Sequence, residues 1–329
     1  MKPVTWGVLG VASHFVGKIN TNVRKSPLNT IQAIASRSMD KAKAAAARLA
    51  IPRAYGSYAD LLADKEIEAV YIPLPNHLHA EWVKKAADAG KHVLCEKPFA
   101  MSAGEAREAF DHARGKGVLV MESLMYRFHP QWIRAVEIVR SGELGEIHAV
   151  TTFFSYMIQD PGNVRNILEI GGGGMRDVGS YAVSAARLVV GTEPIRVLSL
   201  MHRDQALKTD TLSTGVLDFG KTRSTFTVGT QSQAWQRVDV VGSAGNMTVH
   251  IPFNPHTDAP TELTVTAWNG TRVVRMPLAD HFVEVFDAFS RAVRSGGPVP
   301  HPHEDTVNNQ KVLDALFRSE KTGTWEPVR

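Results

Sequence analysis

Short apolar runs separated by helix-like stretches fill the first part of the chain: TWGVLG (5–10), IQAIAS (31–36), a weaker RAYGS (53–57), AVYIPL (69–74), HVLCEK (92–97) and VLVMES (118–123). Between them, MDKAKAAAARLA (39–50) is rich in alanine and HLHAEWVKKAADAG (77–90) ends on Gly90, a good helix stop. Ser102 and Glu105 stand at capping-box spacing at the head of a further helix. Strands alternating with helices in this way predict a parallel sheet wrapped on both faces. Beyond residue 124 the rhythm changes. QWIRAVEIVR (131–140) reads as a helix behind Pro130 and IHAVTTFFSY (147–156) as a strand; from 195 strand-like segments follow at short intervals through TLSTGVLDFG (211–220), TRSTFTVGTQ (222–231), RVDVVGS (237–243) and NMTVHIPF (246–253). TELTVTAW and TRVVRMP then flank Asn269-Gly270, the strongest short hairpin signal. HFVEVFDAFSRAVRSGG (281–297) and TVNNQKVLDALFRSEKTG (306–323) predict two late helices that pack back on the body. The pattern predicts an α/β chain of two domains: a parallel-sheet domain over 1–124, and an α+β domain over 125–329 with a large, mostly antiparallel open sheet. So wide a sheet leaves one face uncovered, and an exposed apolar face marks a partner surface. A homodimer or higher homo-oligomer joined through that sheet is therefore expected.

Composition changes this picture little. At 329 residues with 43% hydrophobic content, the chain has material for two cores. Its 37 lysines and arginines outnumber 33 acids, a formal charge of +4, but they are spread along the chain, so no nucleic-acid groove is indicated. No apolar run reaches about 18 residues, so no membrane span is expected. The single cysteine, Cys95, excludes a disulfide framework and a cysteine-rich metal site, and fits a reducing compartment. MKPVTWGVLG enters a strand pattern without a secretory-type segment, and a cytoplasmic location is expected. His77 and His79 are two apart and diverge on a helix, with no convergent third ligand, so no metal is expected either.

Three segments carry candidate chemistry. In the first strand-to-helix turn, GVLGVASHF (7–15), Gly10 can make the tight turn of a dinucleotide site, while Ala12 and Phe15 stand where the second and third glycines would be and Ser13 and His14 lie between. A pyrophosphate there would meet free amides and the positive end of a helix dipole. At the end of the second run, Ser36-Arg37-Ser38 replaces the acid that would hold a ribose 2′-hydroxyl; a guanidinium suits a 2′-phosphate, favouring NADP over NAD. VLCEKPFA (93–100) places Glu96, Lys97 and Pro98 directly at the end of a buried strand, where ligands gather in such sheets. GGGGMRDVGSYAVSAARLVVG (171–191) leads four glycines into a helix on which Asp177 and Tyr181, four apart, share one face near its N-terminal end.

Together WGVLGVASHF, IPLPNHLH, CEKPF, MYRFHPQW, GGGGMRDVGSYAVSAARLVVG and VVGSAGNMTVHIPF resemble the glucose-fructose oxidoreductase/inositol dehydrogenase/rhizopine catabolism (Gfo/Idh/MocA) family over nearly the whole chain. They are most similar to its branch of NADP-linked sugar and trans-dihydrodiol dehydrogenases. The resemblance implies a Rossmann domain and a substrate domain, with hydride passing between nicotinamide C4 and a hydroxyl-bearing carbon of a sugar, polyol or cyclic diol. It places Lys97 beside the nicotinamide, before a lysyl-prolyl bond that is often cis, and Glu96, Leu74, Asn76 and His79 near the cofactor. Arg127, Arg165 and Asp177 are implied at the substrate, and since Phe154 and Tyr156 alternate with Phe153 along the strand 147–156, one of these two faces should line the pocket. Tyr181 is then the acid/base: the Lys97 ammonium would stabilise its phenolate and bring a phenol of ordinary pKa ~10 toward neutrality. Alternatives are an enzyme that keeps NADP bound and shuttles hydride between two sugars, and a non-catalytic NADPH-binding regulator. Ala12 and Phe15 depart from the family pattern, as do Met175 and Arg176; the charge of Arg176 beside Asp177 is expected to alter substrate preference.

Overall fold

The computed structural model describes residues 2–329. The chain forms two compact units, the first made of the chain up to Met125 with Asp280–Val307, the second of Tyr126–Ala279 with Asn308–Arg329. The first holds six parallel strands, β1 (Val4–Leu9), β2 (Asn29–Ala35), β3 (Arg53–Tyr55), β4 (Ala69–Ile72), β5 (His92–Glu96) and β6 (Val120–Ser123), in the order β3-β2-β1-β4-β5-β6. Each lies on a predicted apolar run. β4 and β6 are buried along their whole length, as strands covered on both faces must be. The order reverses between β1 and β4, which opens a crevice at their carboxyl ends.

Local signals place the helices. Ser38 caps the helix Met39–Leu49 by accepting from the Lys41 amide at 3.4 Å. Ser102 accepts from the Glu105 amide at 3.3 Å, while Glu105 Oε2 reaches back to the Met101 amide at 2.7 Å, one residue beyond the reciprocal partner of a capping box. The strand and helix pattern assigns all of 125–329 to the second domain, yet Asp280–Val307 belongs to the first unit. The reason is packing: the helix His281–Ser295 sets Phe286 and Phe289 against the fully buried Trp6 of β1, at centroid distances of 4.8 and 5.7 Å. No local pattern announces so distant a partner.

Arg294, in the last turn of that helix, grips Glu68 just before β4 with two bonds of 2.6 and 2.7 Å, and its guanidinium holds the Glu68 carboxyl down at about 2 from the usual 4.5. A depressed carboxylate contributes stability above its unfolded pKa and loses it as pH falls through the folded value. Glu68→Gln should therefore cost on the order of 1 kcal/mol at pH 7, discounted for partial exposure, and the difference from wild type should shrink between about pH 4.5 and 2. Urea unfolding at pH 7 and pH 3 measures this; an equal deficit at both would rule out the ion pair as its source.

The second unit is built on nine strands: β7 (Ile147–Met157), β8 (Arg196–Arg203), β9 (Asp210–Asp218), β10 (Arg223–Gly229), β11 (Gln231–Gly242), β12 (Gly245–Val249), β13 (Glu262–Ala267), β14 (Gly270–Arg275) and β15 (Glu326–Pro327). Their order is β14-β13-β12-β11-β7-β10-β9-β8-β15, antiparallel throughout except for the parallel pair β7 and β10. The β13–β14 hairpin turns on Asn269-Gly270, with Gly270 at φ +116°. Along β7, Val150, Thr152 and Phe154 are buried, while Thr151 points to the opposite face and meets Thr225 at 3.4 Å. That opposite face also exposes Leu200, Leu212, Trp235 and Val241, the uncovered surface the strand pattern implied. Among the described residues no helix is long and apolar enough to cross a membrane.

Candidate active site

In the first unit the candidate residues gather at the carboxyl ends of β1, β2, β4 and β5. Gly10 leaves β1 at φ +121°, a conformation that disfavours any side chain, and its amide donates to the Ala35 carbonyl at 3.0 Å. Ala12 and His14 are half-buried and Ser13 is exposed. Phe15 is fully buried, its ring 5.7 Å from that of Tyr71; its side chain serves the core and the helix start, not a ligand. The turn Phe15–Ile19 is a π turn, a form that recurs at functional sites and that no composition signal predicts. After β2, Ser36 is buried and accepts from the Ser38 amide at 3.3 Å, whereas Arg37 is exposed, its charge acting on the Tyr58 phenol.

Leu74 is nearly buried in the loop after β4, and Asn76 opens the short 3-10 turn Asn76–Leu78. His79 is fully buried: its two ring nitrogens face the Leu74 carbonyl at 2.7 Å and the Pro98 carbonyl at 2.8 Å. It thus ties the loop after β4 to the one after β5, and its ring reaches a ligand only through that backbone. Burial pushes its pKa down, against the pull of the two carbonyls. At the end of β5, Glu96 is 9% exposed, Lys97 is half-buried, and the Lys97–Pro98 bond is cis, as the resemblance implied. These residues fit a dinucleotide: a left-handed glycine for the phosphates' approach, an exposed arginine past β2 and a carboxylate at the end of β5, one strand from the order reversal.

In the second unit a different cluster forms around the glycine-led helix. Asp177 lies in a π turn, Met175–Gly179, and Tyr181 in the α-helix Ser180–Val190 that continues it. Arg165 Nε donates to Asp177 Oδ2 at 2.8 Å, and the Tyr156 hydroxyl donates to the same oxygen. The charge of Asp177 holds the Arg165 guanidinium above its usual range, while burial, and then Asp177, push the Tyr156 phenol up. Tyr156 therefore keeps its proton and spends it on Asp177. Tyr181, 5% exposed, is walled by Phe154 and Tyr126, each at 5.8 Å, and Phe253 at 5.3 Å. The hydroxyl of Tyr126 bonds Ser184 at 2.7 Å, one helical turn past Tyr181.

The glycines have a structural cause. Gly173 adopts φ +117°, and a Cβ there would overlap Asp210 Oδ1. Asp210, 1% exposed at the start of β9, takes the Met175 amide at 2.6 Å and the Ser213 hydroxyl at 2.7 Å, capping the turn that carries Asp177 although burial raises its pKa. From the helix His303–Thr322, Asn309 donates to the Ser180 carbonyl at 3.2 Å and braces the same segment. Arg176 turns away from Asp177: its guanidinium lies over the Phe317 ring at 4.4 Å and not beside the carboxylate. Arg127 is half-buried in the short turn Met125–Phe128. Asp177, Arg165, Phe154 and Tyr181 thus lie in one cluster with Tyr156, which alternation pairs with Phe154, and with two residues that no sequence signal singled out, Phe253 and Asp210. Tyr156 had a signal, since it shares the buried face of β7 with Phe154. Asp210 had none, because capping across the sheet depends on strand pairing.

Comparison with known proteins agrees with both halves. Residues 4–124 match the model of an oxidoreductase family with an NAD-binding Rossmann fold, and residues 132–248 match the GFO/IDH/MocA C-terminal domain. An uncharacterized oxidoreductase of Rhizobium meliloti is 40% identical over 100% of both chains. A D-xylose 1-dehydrogenase (NADP(+)) of Haloferax volcanii is also 40% identical, over 97% of this chain and 98% of its own. A 3-ketoreductase from Actinomadura kijaniata, crystallised with NADP and TDP-benzene, superposes with a TM-score of 0.90 at 29% identity, covering 96% of this chain and 98% of that one.

Proposed function

The chain belongs to the GFO/IDH/MocA oxidoreductase family, an NAD(P)-dependent enzyme acting on CH–OH groups, and from that premise we propose a dehydrogenase or reductase of a sugar or cyclic diol with Tyr181 as acid/base assisted by Lys97. NADP is the proposed cofactor; the exposed Arg37 after β2 and the NADP-linked relatives support it. When bound, the nicotinamide supplies or takes the hydride.

The chain's own groups handle the proton. The observation that carries this reading is the pairing of Asp177 with both Arg165 and Tyr156. It holds the Asp177 carboxylate in place beside the helix and engages the Tyr156 proton, which supports Tyr181 as the group that transfers one. In the oxidative direction the Tyr181 phenolate takes the proton from the substrate hydroxyl; in reduction its phenol returns it. Lys97 contributes a positive charge that favours the phenolate, and Asp177 orients the reacting hydroxyl as an acceptor. Phe154 and Phe253 give Tyr181 a rigid apolar surround that excludes water. Initial rates across pentoses, hexoses, inositols and vicinal diols, with NAD and NADP in parallel, test the proposal. Turnover of at least one sugar or diol, faster with NADP, is expected; silence across the panel with both cofactors would discard it.

The same reading carries a homo-oligomer joined through the open face of the nine-stranded sheet, where Leu200, Leu212, Trp235 and Val241 are exposed. Sedimentation velocity should show a dimer or larger species that Leu200→Glu with Val241→Glu shifts toward monomer; a monomeric wild type would contradict it.

A further inference from the structure

Tyr71 in β4 has none of its surface exposed, and its run, AVYI, is otherwise aliphatic. Its ring packs against Phe15 at 5.7 Å and Phe286 at 5.1 Å, a volume that phenylalanine would fill equally well. A buried hydroxyl is costly unless its hydrogen-bonding capacity is used. Here it is used in both directions. The hydroxyl donates to Glu96 Oε1 at 2.6 Å and faces His14 Nε2 at 3.1 Å. A carboxylate can only accept, so the phenol proton goes to Glu96 and the phenol oxygen accepts from the imidazole; the network therefore places a hydrogen on His14 Nε2. His14 follows β1, Tyr71 lies in β4 and Glu96 ends β5, three neighbouring strands of which β1 and β4 flank the strand-order reversal. Glu96 Oε2 is left with a single long bond, 3.4 Å from the Lys97 amide, and so retains acceptor capacity next to the lysine.

We propose that His14 and Tyr71 are positioning residues for Glu96. The line from imidazole to phenol to carboxylate fixes the Glu96 rotamer and presents Oε2 to a hydrogen-bond donor, a hydroxyl or amide, of the bound dinucleotide. His14 thereby couples the turn after β1 to the acceptor at the end of β5. The inference rests on the family reading for the presence of a dinucleotide and on nothing in the proposed proton chemistry.

The test is titration of full-length variants with NADPH, followed by nicotinamide fluorescence, together with 15N spectra of the histidines. Tyr71→Phe, His14→Leu and Glu96→Gln should each weaken NADPH binding about tenfold, the scale of one lost hydrogen bond to a charged group. His14→Gln, whose amide can still donate, should recover most of that affinity. In the wild type His14 should be protonated on Nε2, and Tyr71→Phe should abolish that fixed tautomer. Affinity of Tyr71→Phe within about twofold of wild type, His14→Gln as weak as His14→Leu, or a neutral His14 protonated on Nδ1 would each overturn the proposal. Should Tyr71→Phe fail to fold, the two His14 variants and the wild-type spectrum decide. No substrate enters these readouts, so they stand or fall apart from the assignment of Tyr181.

Discussion

Tyr181→Phe is expected to lower turnover on the order of 10²-fold or more while leaving NADPH affinity and thermal stability near wild type. The size follows from what is lost: a positioned proton donor or acceptor, with every packing contact retained. Phenylalanine keeps the ring contacts to Phe154, Phe253 and Tyr126 that hold Tyr181 in place. Tyr156→Phe serves as the contrast, because it removes a donor to Asp177 and leaves Arg165 on the same oxygen. Its expected loss is smaller, about tenfold or less, the scale of one supporting hydrogen bond. Steady-state kcat of both variants, with cofactor affinity measured alongside, is the check. If Tyr156→Phe were the more damaged enzyme, the acid/base assignment would move to β7.

Lys97→Met comes second, with turnover down about 10²- to 10³-fold. Methionine is close to lysine in length and carries no charge, so the substitution removes the electrostatic support for a phenolate while preserving bulk at the end of β5. Glu96 keeps its bond from Tyr71, whose donor belongs to another strand. Cofactor affinity should therefore fall much less than turnover. A variant whose KM for the sugar rises while kcat holds would make Lys97 a binding group only.

What could be read in advance follows from how local its cause is. β4, β5 and β6 were legible because strands buried on both faces carry consecutive apolar residues, AVYI, VLC and the VLVM that leads into β6, with no alternation. The capping serines and the Asn269-Gly270 hairpin were legible for the same reason, their signals spanning a few residues. The return of Asp280–Val307 to the first unit was not, since it depends on Phe286 and Phe289 meeting Trp6, 280 and 283 positions away in sequence. Nor was the parallel pairing of β7 with β10, because a meander pattern fixes that strands exist and not which neighbours they choose. Among the candidate residues, short motifs singled out Lys97 at the end of β5 and Asp177 and Tyr181 on the glycine-led helix, and the structure sets Arg165 on Asp177. The two π turns, the cap from Asp210 and the burial of His79 between two carbonyls were silent in the sequence, each arising from contacts between distant segments.

The central claim is that a chain with this lysine and this tyrosine moves hydride to or from a hydroxyl-bearing carbon. It is tested most directly by a single turnover in stopped flow: protein preloaded with one equivalent of NADPH or NADP is mixed with the sugar and diol panel, and the nicotinamide absorbance band is followed. The account predicts that the wild type converts its bound dinucleotide with at least one panel member, while the Lys97→Met/Tyr181→Phe double variant binds it and leaves it almost unconverted on the same timescale. A bound dinucleotide that no panel member alters, or a double variant that converts it as fast as the wild type, would contradict the account.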